Sequence, residues 1–128
     1  MLKNLLLTGA ALVSSSLITI GAAGGPASAT TVHGCAAQYL CAYESVNYSS
    51  SPGPVKDNNA DLRSYPKFRY MESIYNNGVS CTAYLWSQPN YQGVVHSLSR
   101  GQGYPNLNNI PEFASTGVES NAWCNSRP

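Results

Sequence analysis

The feature that most constrains this chain is a pattern written twice. Leu62, Pro66 and Phe68 recur as Leu107, Pro111 and Phe113 at an offset of 45, and Glu72-Ser73 recurs as Glu119-Ser120 at an offset of 47. Upstream, Tyr43 with Asn47-Tyr48 is answered by Trp86 with Asn90-Tyr91 at an offset of 43. Offsets that drift through polar stretches mark one duplicated unit, with insertions confined to its surface. The copies read as residues 35–77 and 78–124. Between them lies Asn76-Asn77-Gly78, flanked by stretches that alternate apolar and polar residues with the period of a half-buried strand. Asn-Gly supplies the positive φ angles of a tight turn, so residues 76–78 are expected to join two neighbouring antiparallel strands as a hairpin.

The rest of the chain also reads as strands and turns. Residues 39–46 are dense in sheet-favouring residues and form the first strand. Ser49 to Pro54 cannot continue it, because two prolines lack donors and a glycine loosens the backbone. Residues 55–61 form a polar connection, 62–68 an irregular or helical turn, and 71–75 a strand. Residues 81–87, 94–98 and 118–124 are further strands, with a long Gly- and Pro-punctuated loop at 99–111. No window sustains a helical period over three turns, so the class is all-β.

The start of the chain reads differently. Lys3 precedes a mostly apolar run from Leu5 to Ile20, and Ala27-Ser28-Ala29 offers small residues at the spacing a signal peptidase accepts. The run is shorter than the roughly 20 residues a spanning helix needs. Residues 1–29 are therefore expected to be a signal peptide, residues 30–128 the secreted, extracellular domain.

Within residues 30–128 six basic residues balance six acidic ones. That balance speaks against nucleic-acid binding, which needs clustered Lys and Arg, and no basic amphipathic helix points to a membrane. The four cysteines, Cys35, Cys41, Cys81 and Cys124, are an even set in a short secreted chain and read as two disulfides. Three pairings are open; Cys35 with Cys41 and Cys81 with Cys124 is favoured, because the five residues between the first two make a compact loop. The close paired spacings of a zinc site are absent. His33 and His96 sit in no nucleophile motif, and oxidised cysteines cannot attack a substrate. No enzyme, cofactor or metal is expected.

Trp86-x4-Tyr91-x-Gly93 has the spacing of the folded hairpin in βγ-crystallin Greek-key units, and Tyr43-x4-Tyr48-x-Ser50 matches it with serine in place of glycine. Ser73 and Ser120 are similar to the serine that closes each such unit. The resemblance implies two Greek-key units packed as one small disulfide-bonded sandwich. With the leader and the early cysteine pair, the chain resembles the small secreted actinobacterial inhibitors of the Streptomyces metalloproteinase inhibitor type; Cys35-x5-Cys41-x-Tyr43-Glu44 looks like that family's start. In the archetype a second short cysteine pair closes the protease-binding loop, and the distant Cys81 and Cys124 offer no match. Crystallin units often bind calcium, but the corresponding positions carry Phe68 and Arg69, then Ser115 and Thr116, a poor oxygen set.

The family implies a monomeric inhibitor of an extracellular protease, a metalloprotease in preference, acting by loop insertion. The foremost candidate loop is 51–56, where Pro52 and Pro54 stiffen the backbone, Val55 is expected to enter an apolar pocket without touching the core, and Lys56 follows. A second candidate is Gly101 to Pro105. The rival class is a non-inhibitory extracellular or killer-toxin-like module, with Tyr48, Tyr91 and Tyr104 as sugar-stacking rings; a structural coat protein is a third.

Overall fold

In β1 (Leu40–Tyr43) alternate side chains part company: Leu40 and Ala42 enter the main apolar core, while Cys41 and Tyr43 join a second cluster on the outer face. Period-two alternation with both faces covered explains why every residue of this strand is buried. A computed structural model describes residues 30–128, so the expected signal peptide lies outside the described residues. The chain continues through β2 (Gly53–Val55), a one-turn helix α1 (Pro66–Arg69), β3 (Ser73–Asn76), β4 (Ala83–Gln88), β5 (Gln92–Leu98), β6 (Gly103–Tyr104) and β7 (Ser120–Trp123). Two antiparallel sheets result, ordered β2-β1-β3-β6 and β5-β4-β7. Leu40, Val55 and Ile74 from one sheet meet Ala83, Leu85 and Leu98 from the other in a shared core, the arrangement of an all-β sandwich.

The sheets exchange a segment. β6 pairs with β3 through Ile74 and Tyr75, although it follows β5 in the chain. Reciprocally, Asn59 bridges to Asn121 of β7, its N–H donating to the Asn121 carbonyl at 2.9 Å and its carbonyl accepting from the Asn121 N–H at 3.0 Å. Each half of the chain thus lends an extended piece to the other half's sheet. Phe68 of α1 and Phe113, the repeated pair, are both buried in the core. Pro66 opens α1, where its missing N–H would have no partner in any case.

Two expectations are corrected here. Residues 76–78 are not a hairpin turn: β3 and β4 belong to different sheets, and neither Asn77 nor Gly78 has a positive φ. The reason lies in Asn76, whose side chain is fully buried. Its Oδ1 accepts from the Gly78 N–H at 2.8 Å, and its Nδ2 donates to the carbonyls of Leu98 (2.8 Å) and Cys81 (3.2 Å). The asparagine fastens the passing chain to the second sheet, so the chain crosses over where a turn was expected.

The second correction concerns 51–56. Gly53 to Val55 is an edge strand, with Leu40 opposite Val55 and Cys41 opposite Pro54. Val55 is 4% exposed and part of the core. Proline is tolerated because an edge strand offers one side with no ladder to donate to.

Cys35 is bonded to Cys41 and Cys81 to Cys124, with sequence separations of 6 and 43. On a loop-entropy model the long bridge contributes about 4 kcal/mol and the short one about 2 kcal/mol.

Candidate functional site

Three places on the molecule combine polar function with defined geometry. The first is the pair of aromatic corners. Tyr43 meets Tyr48 edge-on at 5.4 Å, and Trp86 meets Tyr91 edge-on at 5.3 Å. The chain reverses at each through two consecutive left-handed residues, Asn47-Tyr48 and Asn90-Tyr91. A buried serine latches each corner. Ser73 Oγ donates to the Ser45 carbonyl (2.6 Å) and accepts from the Tyr48 N–H (3.1 Å). Ser120 Oγ donates to the Gln88 carbonyl (2.7 Å) and accepts from the Tyr91 N–H (3.0 Å). These contacts commit Tyr48 and Tyr91 to the fold. Tyr104, half-buried, donates its hydroxyl to the Ser97 carbonyl at 2.9 Å.

Residues around the first disulfide roof the outer face of the first corner. Tyr43 donates to the His33 carbonyl at 2.9 Å, and the His33 ring stacks on Tyr48 at 4.4 Å. Burial, aided by the neighbouring Tyr48 and Tyr75, pushes the Tyr43 phenol up to about 12. His96 makes a 3.3 Å contact with Glu112 and leans on Phe113. Neither histidine faces a serine or cysteine nucleophile in these contacts.

The second place is a recess of about 430 Å³ lined by Arg63, Phe68, Arg69, Tyr70, Ser115, Thr116, Val118 and Glu119. It gathers both pairs of positions compared with calcium ligands. Arg63 is held bidentately by Asp61, which pulls the Asp61 carboxyl down to about 2. A buried phenylalanine, Phe68, and the Arg69 guanidinium, which lies 5.9 Å from the Tyr70 ring centroid, are the wrong chemistry for a hard divalent ion. Among the described residues no group of three or more His, Cys, Asp or Glu converges.

The third place is the crossover segment 77–81, which begins inside the expected 76–78 turn. Its chain bends at Val79-Ser80, and Val79 is 55% exposed. Asn77 Nδ2 donates to the carbonyls of Cys35 (2.8 Å) and Thr30 (2.9 Å), and the Asn77 backbone bonds to Tyr39 and Gln38. Arg100 donates to the Val79 carbonyl, and Cys81 is anchored to Cys124. Gly78 lies against the Trp123 ring, which a Cβ would strike. A recess of about 300 Å³ beside it is lined by Gln38, Lys56, Asp57, Gly78, Val79, Ser80, Cys81 and Trp123. Of the four residues singled out at 51–56, the structure brings Lys56 to this recess, its ammonium 5.6 Å from the Tyr39 ring centroid. Pro54 is exposed on the edge strand, Pro52 is half-buried, and Val55 faces the core. Gly101 to Pro105 is likewise tied into the first sheet: Gly103–Tyr104 form β6, and the Asn47 N–H donates to the Pro105 carbonyl at 2.8 Å.

Two serine-latched aromatic corners in a two-sheet sandwich define the βγ-crystallin fold. A solved structure on the evolution of the eye-lens βγ-crystallin domain is similar at a TM-score of 0.58 and 17% identity, covering 68% of this chain and 85% of that one. IPSE/alpha-1 from Schistosoma mansoni eggs matches at 0.56 and 20%, covering 69% and 86%. A βγ-crystallin from Ciona intestinalis matches at 0.53 and 17%, covering 66% and 98%. Within that fold the sequence is more specific. The family model described as peptidase inhibitor family I36 matches residues 28–98, and the chain belongs to that family, the family of the Streptomyces metalloproteinase inhibitor. It is a family of inhibitors, and this protein is not an enzyme. No curated protein matches the chain.

Proposed function

We propose that this protein is a secreted inhibitor that blocks an extracellular metalloprotease by placing a rigid segment in its cleft. The observation that carries this reading is the family match over residues 28–98. Two disulfides fit an oxidising, extracellular setting. Among the described residues no helix is long and apolar enough to cross a membrane. A segment whose conformational freedom is already spent on folding loses little more on binding, which is the physical basis of tight inhibition. The 51–56 stretch fills this role poorly. Val55 cannot leave the core, and Pro52, Pro54 and Lys56 offer a sheet edge with no protruding loop.

Titration of the purified protein against thermolysin-type metalloproteases and trypsin- and subtilisin-type serine proteases tests the reading. Saturable inhibition of a metalloprotease at micromolar or lower concentration is expected. No inhibition of any member at that concentration overturns it, and the rival extracellular binding module, probed by a polysaccharide pull-down, takes its place.

A further inference from the structure

Resting on the inhibitor reading, we infer that segment 78–81 is the surface that enters the protease, with Val79 as its leading side chain and an endopeptidase with an apolar primary pocket as its partner. Three observations converge on it. The segment presents an aliphatic side chain to solvent at the apex of a bend, where Val79 is 55% exposed. Its neighbour Ser80 is small and exposed, so another backbone can approach closely on that side. No Asp, Glu, Lys or Arg occurs between Glu72 and Arg100, so an acidic or basic specificity pocket would find no partner on this segment.

The segment is also held from both sides. Upstream, Asn76 is buried and Asn77 is fastened to the disulfide-closed N-terminal loop through Cys35. Downstream, Asn76 Nδ2 grips the Cys81 carbonyl and the Cys81–Cys124 bridge fixes the chain to the end of β7. Arg100 holds the Val79 carbonyl between these anchors. Both disulfides thus bear on one four-residue stretch whose two central residues, Val79 and Ser80, are exposed. A substrate peptide reaching a cleft pays an ordering cost that this stretch has already met. Lys56, across the adjoining recess, stands beside the contact and not at its centre.

The test uses the purified full protein and its Val79→Asp, Val79→Leu and Lys56→Ala variants against whichever protease the wild type inhibits. Val79→Asp puts an unpaired carboxylate into an apolar subsite and is expected to weaken inhibition at least 100-fold. Val79→Leu is expected to stay within about 10-fold, since an added methylene in an apolar pocket is worth little more. Lys56→Ala is expected to stay within about threefold. Thermal midpoints of all three should match wild type, because the Val79 side chain is outside the core. Inhibition by Val79→Asp within threefold of wild type overturns the inference while leaving the inhibitor reading intact. So does a larger loss from Lys56→Ala than from Val79→Asp. A wild type that inhibits nothing overturns both.

Discussion

The two aromatic corners share geometry around a common Asn-Tyr pair and diverge in the residues beside it. Asn47-Tyr48 and Asn90-Tyr91 take the same left-handed pair of conformations, and Ser73 and Ser120 latch them through the same two bonds. The following strands keep one register, with Leu40 opposite Val55 and Ala83 opposite Leu98. Yet two residues past the second aromatic of each corner, Ser50 stands in one copy and Gly93 in the other. Gly93 has φ +82°, while Ser50 is not in the left-handed region. The residue after the leading aromatic differs as well. Ser87 Oγ accepts from the Val94 N–H at 3.0 Å and lies where a Cβ on Gly93 would sit. Its counterpart Glu44 points away to Lys67 at 3.3 Å, so nothing forces a glycine there. At the second corner a positive φ and the close Ser87 hydroxyl both favour glycine, while the serine latch is common to the two corners.

The largest effects should come from the matched core positions behind the corners. Val55→Asp and Leu98→Asp each bury an unpaired carboxylate, and each is expected to cost on the order of 4 kcal/mol, enough to unfold much of the protein. Urea titration followed by tryptophan fluorescence reads this. A Val55→Asp protein as stable as wild type would return 51–56 to the status of a free loop.

The serine latches come next. Ser73→Ala and Ser120→Ala each strand a carbonyl and an N–H, at about 2–3 kcal/mol. The same measurement should give losses alike to within about 1 kcal/mol. A large inequality would show that the corners, alike in geometry, are unlike in weight.

The glycine position gives the smallest effect and the sharpest contrast. Gly93→Ala places a side chain at positive φ against Ser87 and should cost about 1–2 kcal/mol. Ser50→Ala removes a buried hydroxyl that has no hydrogen-bond partner and should be neutral or slightly stabilising. Equal losses would mean that glycine is required by the corner after all.

The corners are legible in the sequence because aromatic spacing and a closing serine are local signals, and each repeats. Strand partnership is not local. Asn77-Gly78 has the composition of a hairpin, but a buried Asn76 side chain bonded to Leu98, 22 residues onward, decides the path. Pro52 and Pro54 suggest a loop, yet the pairing of Leu40 with Val55 overrides that preference. One signal in the sequence pointed the right way: the offset of 43 that relates Tyr43 to Trp86 also carries Val55 onto Leu98, an apolar strand residue. The exposed bend at Val79 has no such signature, since a lone valine between Gly78 and Ser80 reads equally well as the start of the next strand.

The exchange of Asn59 and Gly103–Tyr104 between sheets has a consequence for engineering. A polypeptide ending near residue 77 would own neither sheet whole: the β3 edge would lack the pairing that β6 supplies, and Asn59 would have no Asn121 to meet. The simplest way to satisfy both is a second identical polypeptide related by a twofold axis. In the single chain, covalent linkage supplies these pairings where separate halves would depend on protomer concentration. Separately expressed halves should therefore reassemble as a heterodimer more readily than either folds alone.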